Sequence, residues 1–332
     1  MTRGERTVVV AIGGNALSPA GESAAVSNQF RHTRESLTSI VEFAREGWRI
    51  AVVHGNGPQV GDALLRNERA SDVVSPLPLG VLVAATAGSI GYMIQQSLQN
   101  ALERAGVSRR VVTVVTQVLV DPEDPSLRSP SKFIGRTLSA AAAERLQAEG
   151  VLVHADAKGG LRRVVASPEP IEIVEAGVVE ELVNRGDIVI AAGGGGIPAY
   201  RDPRLGLEGV DAVVDKDRAA AILAEAIGAR VLLILTDVDG VYERFGRPEA
   251  RRIPRLTISA ARARLSAGGG GGGSLGPKLE AAVSFVERGG ERAVIGELAD
   301  GPAALGGRTG TTIVADASDG SRTRKERTRG GP

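Results

Sequence analysis

The chain has 332 residues, of which 42% are hydrophobic and 24% are charged, a composition typical of a globular protein. A formal net charge of +1 gives no reason to expect nucleic acid as a partner, and the absence of cysteine excludes disulfides and thiolate-bound metals. With three histidines, a multi-histidine metal site is disfavoured. No apolar run reaches the roughly 18 residues of a membrane span, and the N-terminus lacks a signal-peptide pattern. We therefore expect a cytoplasmic protein with no membrane partner.

Apolar, β-branched segments alternate with segments of helical periodicity along most of the chain. The first strand is predicted at residues 7–12 and the first helix at residues 29–46. Further strands are predicted at 49–54, 111–118, 187–192 and 231–235, and further helices at 89–104, 139–148, 218–227 and 278–288. Continuously apolar strands separated by helices predict an α/β fold with a mainly parallel sheet covered on both faces.

Three segments interrupt this alternation. Residues 121–167 are rich in proline, charge and turn residues, which predicts a small subdomain that protrudes from the sheet as a lid. Residues 268–273 are six consecutive glycines, which predict a mobile loop, with a simple flexible connector as the alternative. Residues 316–332 lack apolar periodicity and are expected to form a disordered tail. The sequence thus predicts one domain over residues 1–315.

Three predicted strands end in glycine-rich turns. These turns are Gly13-Gly14-Asn15, Gly55-Asn56-Gly57 and Gly193-Gly194-Gly195-Gly196. Ligands bind at the carboxyl ends of parallel strands in open α/β sheets, and glycine lets backbone N–H groups approach an anion closely. The turns therefore predict a phosphate-binding site. A NAD-dependent dehydrogenase is disfavoured, because no GxGxxG is followed by an acidic residue at the Rossmann distance; nor is there a Walker motif.

Lysine is rare in this chain, accounting for five of the 40 basic residues. Those five are Lys132, Lys158, Lys216, Lys278 and Lys325. Because arginine supplies the general positive charge, a retained lysine indicates a position where a compact ammonium group is needed. Lys325 is an exception because it lies in the predicted tail, and the alternative for the others is a solvated surface position.

Three of these lysines are candidates for contacts with phosphate. Lys216 lies between Asp215 and Asp217, where a strand is predicted to end and a helix to begin. Lys278 lies in the first turn of a predicted helix, where its charge opposes the helix dipole, which indicates an anionic ligand between them. Lys132 lies in the predicted lid and could swing over the site. Phosphoryl transfer needs positioning and positive charge, so glycine turns with these lysines predict a phosphotransferase.

The motifs and their order resemble those of the carbamate kinases, within the amino acid kinase family. The resemblance covers about residues 7–315, and its most specific elements are HGNGPQVG at 54–61, GGGGIP at 193–198 and DAVVDKD at 211–217. It implies an open, mainly parallel eight-stranded sheet sandwiched by helices and a homodimer. The N-terminal half would bind the acceptor and the C-terminal half the nucleotide. The implied reaction converts MgATP and carbamate into MgADP and carbamoyl phosphate, and the reverse.

The resemblance also implies roles for individual residues. The phosphoryl group and the acceptor would be bound by Gly13, Gly14, Asn15, Gly55, Asn56, Gly57, Gly194 and Gly195. The nucleotide would be bound by Lys216, Thr236, Asp237, Val238, Tyr242, Gly276 and Lys278. Catalysis would depend on Lys132, Asp215, Lys216 and Lys278, with Asp215 orienting Lys216. No residue is assigned to Mg²⁺.

The chain departs from the family's pattern at four places. Residues 132–136 read KFIGR instead of KPIGP, and Leu161 replaces a tryptophan. Ala87-Gly88 replaces a Gln-Gly or Glu-Gly pair, and the glycine run replaces an aromatic residue. Loss of the prolines predicts a freer Lys132 segment, whose closure costs more entropy. Two alternatives stay open: a relative that phosphorylates another small carboxylate, and a nucleotide-binding or carbamoyl-phosphate-binding protein with little turnover.

Overall fold

The computed structural model describes residues 6–19, 22–23, 25–156, 159–267 and 275–317. The glycine run at 268–273, Lys158, Lys325 and residues 318–332 of the predicted tail lie outside the described residues. Within the described ranges, no helix is long and apolar enough to cross a membrane.

The described residues form seventeen strands and eleven α-helices. The strands are β1 (Thr7–Ile12), β2 (Arg49–His54), β3 (Val111–Thr113), β4 (Gln117–Val120), β5 (Lys132–Leu138), β6 (Val153–Ala155), β7 (Leu161–Val165), β8 (Pro170–Ile173), β9 (Ile188–Ile190), β10 (Ile197–Asp202), β11 (Gly206–Gly209), β12 (Val231–Thr236), β13 (Tyr242–Glu243), β14 (Arg251–Arg252), β15 (Arg255–Thr257), β16 (Arg292–Glu297) and β17 (Thr311–Val314). The helices are α1 (Gly14–Leu17), α2 (Val26–Ser36), α3 (Thr38–Arg45), α4 (Gly57–Arg69), α5 (Leu79–Arg104), α6 (Ala140–Ala148), α7 (Ala176–Asn184), α8 (Lys216–Ala226), α9 (Ile258–Ser266), α10 (Leu275–Glu287) and α11 (Gly301–Leu305).

Eight of the strands in the described part of the chain form one sheet, in the order β15-β17-β16-β12-β1-β2-β9-β3. Neighbouring strands are parallel except β16 and β17, which are antiparallel. Every residue of the central strand β1 is buried, as expected for a parallel strand that is covered on both faces. The predicted α/β fold with a mainly parallel eight-stranded sheet is confirmed.

The pleat of β1 divides the core into two layers. Val9 and Ala11 pack in a cluster with α7, α8 and α10, whereas Val8, Val10 and Ile12 pack in a cluster with α3 and α5. Successive side chains of a strand point to opposite faces, so a continuously apolar strand buries both sides. The two helical layers hold the central strands rigidly and fix the positions of the turns at their carboxyl ends.

Strands β5, β6 and β7 form a small antiparallel sheet, β5-β7-β6, with α6 packed beside it. Ala143, Leu146 and Val153 form its own small core. A separate four-stranded sheet, β11-β10-β4-β8, includes the strands that precede and follow this small sheet in the chain, β4 and β8. All the strands within residues 121–167 therefore belong to the β5-β7-β6 sheet.

Two predicted elements are each split in the structure. The helix predicted at 29–46 breaks at Leu37, between α2 and α3. Next to the break, Ser36 Oγ donates to His32 O at 2.8 Å, and side-chain bonds of this kind bend helices. The strand predicted at 111–118 forms β3 and β4 in different sheets. The chain crosses between the sheets at Thr116, whose carbonyl accepts from Ile197 N at 2.8 Å.

Candidate active site

The glycine turns after β1 and β2 are in direct contact. A Cβ atom added at Gly55 would lie 2.8 Å from Gly14 N and 3.1 Å from Lys216 Cδ. A Cβ atom at Gly14 would lie 3.3 Å from Pro58 Cδ and 3.6 Å from Asn56 N. Glycine is needed here because two backbone turns and a lysine side chain share the space that a side chain would fill.

The third turn packs against the second turn and against the segment that leads to Lys216. Gly194 and Gly195 have φ angles of +70° and +96°, which favour glycine. A Cβ atom at Gly194 would lie 2.3 Å from Asn56 Nδ2, and one at Gly195 would lie 2.2 Å from Val214 O. All three predicted turns therefore meet at one place on the sheet edge.

The remaining residues of the turns are placed by the elements that follow. Gly13 is the residue before α1, and Asn15 lies within α1. Gly57 is the first residue of α4, with Asn56 at its N-cap. Asn56 Nδ2 donates to Thr86 Oγ1 at 3.0 Å, so α5 fixes the direction of this amide. Thr86 was not predicted, because nothing in its local sequence indicates that α5 passes the second turn.

Three lysines and two aspartates form an alternating charge cluster beside the turns. Lys216 Nζ donates to Asp217 Oδ1 at 2.5 Å, and Lys278 Nζ lies 3.3 Å from Asp217 Oδ2. Lys132 Nζ donates to Asp215 Oδ2. The cluster brings together residues from β5 and from two helices, α8 and α10, and has one more positive than negative charge.

The orienting role predicted for Asp215 belongs geometrically to Asp217. Asp217 is almost fully buried and holds both Lys216 and Lys278. Asp215 instead caps α8, accepting from the N–H groups of Asp217 at 2.9 Å and Arg218 at 3.3 Å. In the sequence, both carboxylates of the DKD pattern are next to the lysine, so either could contact it. Because α8 begins at Lys216, Asp215 becomes the N-cap and Asp217 is the carboxylate that contacts the lysine.

The charges of the cluster depend on one another. Burial opposes ionisation of Asp215, but Lys132 and Lys216 outweigh it and hold the pKa of this carboxyl well below its usual range. Burial lowers the pKa of Lys278, and the neighbouring Lys216 charge lowers it further. An anionic ligand among these ammonium groups would relieve their repulsion, which favours binding of a phosphate here.

The surroundings of the lysines differ from the prediction in two respects. Residues 210–215 are irregular, so Lys216 follows a loop and not a strand end. This loop is held by burial of Val213 and by the bond from Val213 N to Ala166 O at 3.0 Å. Lys132 is the first residue of β5, so the segment predicted as a loop is a strand. Lys278 lies in the first turn of α10, as predicted.

The predicted nucleotide residues follow β12, next to the turn after β1. Thr236 is the last residue of β12, and its Oγ1 donates to Asp237 Oδ1 at 3.0 Å. Tyr242 Oη donates to Asp239 Oδ1 at 2.7 Å, which raises the pKa of the tyrosine. Phe245 packs edge-on against the Tyr242 ring, at 5.9 Å between centroids. Asp239 and Phe245 were not predicted.

Two other predicted nucleotide residues have different surroundings. Val238 is partly buried against the core on the side of α8 and α10. Gly276 lies in the first turn of α10, two residues before Lys278, and among the described residues no atom outside its own helix and chain neighbours lies within 4 Å of the position that its Cβ would occupy.

His54, at the end of β2, is fully buried directly before the second turn. Its Nδ1 lies 3.2 Å from Gly55 O, and burial lowers its pKa to about 4 from the ordinary value of 6.5. A neutral His54 is therefore part of the packing behind the turn at neutral pH.

The burial of His54 predicts a pH dependence of stability. In the unfolded chain His54 is protonated below about pH 6.5, whereas in the folded chain it stays neutral down to about pH 4. The free energy of unfolding therefore falls as the pH decreases through this window. We expect this residue to account for a loss of about 2 kcal/mol between pH 7.5 and pH 5. Urea unfolding of the wild type and His54→Gln at both pH values measures it. Identical pH dependence in the two proteins would contradict the expectation.

Residues 6–297 match the model of the amino acid kinase family. The chain therefore belongs to this family, and it is an enzyme of the phosphotransferase class. It is 42% identical over 315 residues to a carbamate kinase of Thermococcus kodakarensis, which spans 94% of this chain and 100% of that enzyme. A carbamate kinase from Giardia lamblia bound to citric acid superposes with a TM-score of 0.90 at 36% identity, covering 95% of this chain and 100% of that one. The Giardia lamblia enzyme bound to AMP-PNP superposes with a TM-score of 0.85, at the same identity and coverage.

Proposed function

We propose that this chain is a carbamate kinase, which transfers a phosphoryl group reversibly between ATP and carbamate. The observation that carries the proposal is the meeting of three glycine turns with the lysine pair on Asp217, in a chain that matches carbamate kinases over nearly its full length. The acceptor side is formed by the turns after β1, β2 and β9, and the nucleotide side by the residues after β12.

The mechanism depends on positive charge that is fixed before the reaction begins. Lys216 and Lys278 bind the oxygens of the phosphoryl group, where negative charge is concentrated during transfer. Asp217 holds both ammonium groups in place, so little reorganisation is needed as the transition state forms. The backbone N–H group of Gly14 approaches the same group, whereas the Gly55 N–H donates to Ile12 O at 3.0 Å and fixes the second turn against β1. Lys132 brings a third ammonium from the lid, which we propose spans residues 121–167.

ATP and ADP are substrates, and Mg²⁺ enters with the nucleotide. Among the residues that the structure describes, no group of three or more His, Asp or Glu side chains could hold a metal ion. Asp215 and Asp217 are already bound by lysines. Mg²⁺ in kinases is held largely by substrate phosphates and water, which agrees with a site that offers few free carboxylates. Thr236 and Asp237 lie where the phosphates of a nucleotide bound after β12 would be.

We further propose that the enzyme works in the cytoplasm as a homodimer, in arginine metabolism. The resemblance to the family supports all three statements. The dimer has the additional support that α5 exposes apolar side chains along one face, with Val81 47% and Tyr92 56% exposed. Light scattering of the purified protein measures the dimer directly.

One coupled assay tests the proposed reaction. Purified protein is incubated with MgADP and carbamoyl phosphate, and ATP formation is measured; we expect ATP to form. Acetyl phosphate in place of carbamoyl phosphate tests the alternative of another small carboxylate acceptor. If folded protein forms ATP from neither donor but binds ADP, the chain is a nucleotide-binding protein with little turnover, and the proposed function is wrong.

A further inference from the structure

Arg136 lies where the lid strand β5 meets two elements that begin at the glycine turns. Its Nη2 donates to Ser18 Oγ at 3.1 Å, and its Nη1 donates to the carbonyl oxygen of Glu22 at 3.2 Å. Its Nε lies 3.5 Å from Asp62 Oδ2 on α4. A single guanidinium therefore joins the strand that begins with Lys132 to the segment after α1 and to α4.

The contact with Ser18 leads directly to the turn after β1. Ser18 is buried, and its N–H donates to Gly14 O at 3.1 Å, which closes the turn. Gly14 is in backbone contact with Gly55, beside the Lys216 side chain. A change in the position of Ser18 is therefore transmitted to the place where the phosphoryl group binds.

The contact with Asp62 reinforces a tight approach of β5 to α4. A Cβ atom at Gly61 would lie 2.2 Å from Gly135 Cα, so the two backbones touch. Ile134 is 2% exposed and packs in a cluster with Val60 of the same helix. Strand β5 is thus anchored in its middle by packing and at residue 136 by charge.

Glu22, whose carbonyl oxygen accepts from Arg136, is itself held by contacts of its carboxylate with α2. The Glu22 carboxylate accepts from Arg31 Nη2 at 2.9 Å and lies 2.9 Å from His32 Nε2. Both residues lie on α2, so this helix fixes the carbonyl group that receives the Arg136 bond. The guanidinium therefore contacts three acceptors, on Ser18, Glu22 and Asp62.

We propose that Arg136 is a positioning residue for phosphoryl transfer, which fixes β5 so that Lys132 stays over the acceptor-side turns. The proposal rests on the proposed function. The planar guanidinium has five N–H donors and contacts three acceptors that lie in different directions. A lysine at this position has one ammonium group on a flexible stem and cannot hold all three contacts at once.

A double-mutant cycle with Lys132 tests the proposal in the ATP-forming assay. We expect Arg136→Met to lower kcat about tenfold with the KM for MgADP nearly unchanged, and Arg136→Lys to recover part of the loss. In the Lys132→Ala background, Arg136→Met should change kcat less than about twofold, because the group that it positions is gone. Equal losses in both backgrounds, or an active Arg136→Met enzyme with unchanged kcat, would overturn the proposal.

The matched control is Arg128→Met, in the same 121–167 segment. Arg128 pairs with Glu123, and both side chains are exposed, so we expect wild-type kcat. Hydrogen exchange supplies a readout that needs no activity: Arg136→Met should speed exchange of the amides of residues 132–138, and Arg128→Met should not. Unchanged exchange in Arg136→Met would also overturn the proposal. A wild type that forms no ATP instead contradicts the proposed function, and the exchange experiment still tests the anchoring of β5.

Discussion

Lys216→Arg is expected to lower kcat for ATP formation by about 100- to 1,000-fold while the protein stays folded. The substitution keeps the positive charge but needs more room than the site provides. The Lys216 side chain passes Gly55, where an added Cβ would lie 3.1 Å from Lys216 Cδ, and its Nζ lies 2.5 Å from Asp217 Oδ1. A planar guanidinium has a different width and different donor directions. It therefore cannot occupy the position of the ammonium group without moving the turn or the carboxylate.

The control for this substitution is Lys325→Arg, the same chemical change outside the described residues and beyond residues 6–297 that match the family model. It should leave kcat unchanged. Thermal unfolding of both variants separates loss of chemistry from loss of fold. Substantial activity of folded Lys216→Arg would show that charge alone, and not a compact ammonium group, is what the site requires.

Gly55→Ala is expected to lower both stability and activity. The added Cβ would lie 2.8 Å from Gly14 N, so one of the two turns must move. Overpacking of this kind costs about 1–3 kcal/mol of unfolding free energy. Because the displaced groups include Gly14 and Lys216, we expect kcat to fall by about 100-fold as well. Urea unfolding and the ATP-forming assay measure the two effects.

Gly57→Ala is the matched control for stability, because no atom of the described residues outside its own helix and chain neighbours lies within 4 Å of the position that its Cβ would occupy. Its unfolding free energy should be unchanged within about 0.5 kcal/mol. The activity of this variant reports separately how closely a substrate approaches Gly57. Equal stability of Gly55→Ala and Gly57→Ala would mean that the first two turns are not packed as tightly as the structure shows.

Much of the fold could be predicted, because it depends on local patterns. Strands β1 and β2 have the predicted bounds, and the apolar runs gave the parallel sheet and its helical layers. One error comes from a local side-chain bond within a helix, and the other comes from a tertiary contact. The helix predicted at 29–46 breaks at Leu37, and the strand predicted at 111–118 leaves the main sheet near Thr116 to hold the third glycine turn.

The candidate site was predicted as a set of residues but not as an arrangement. The glycine turns and three of the rare lysines, which were selected by residue type alone, lie close together in the structure. The partner of each charge was not predictable. Lys132 and Asp215 are 83 positions apart in the chain, and Lys278 and Asp217 are 61 apart. Thr86, Arg136 and Asp239 carry no local signal, because their contacts come from other elements.

The sequence by itself determined the class of fold, the glycine turns at the strand ends and the resemblance to carbamate kinases. These follow from periodicity and residue type, which are local properties of the chain. Only the tertiary structure decided that Asp217, and not Asp215, holds Lys216, and that the Lys132 segment is an anchored strand and not a free loop. The physical reason is that a charged side chain pairs with the partner that packing places within hydrogen-bond distance, and here packing brings together α8, α10 and β5.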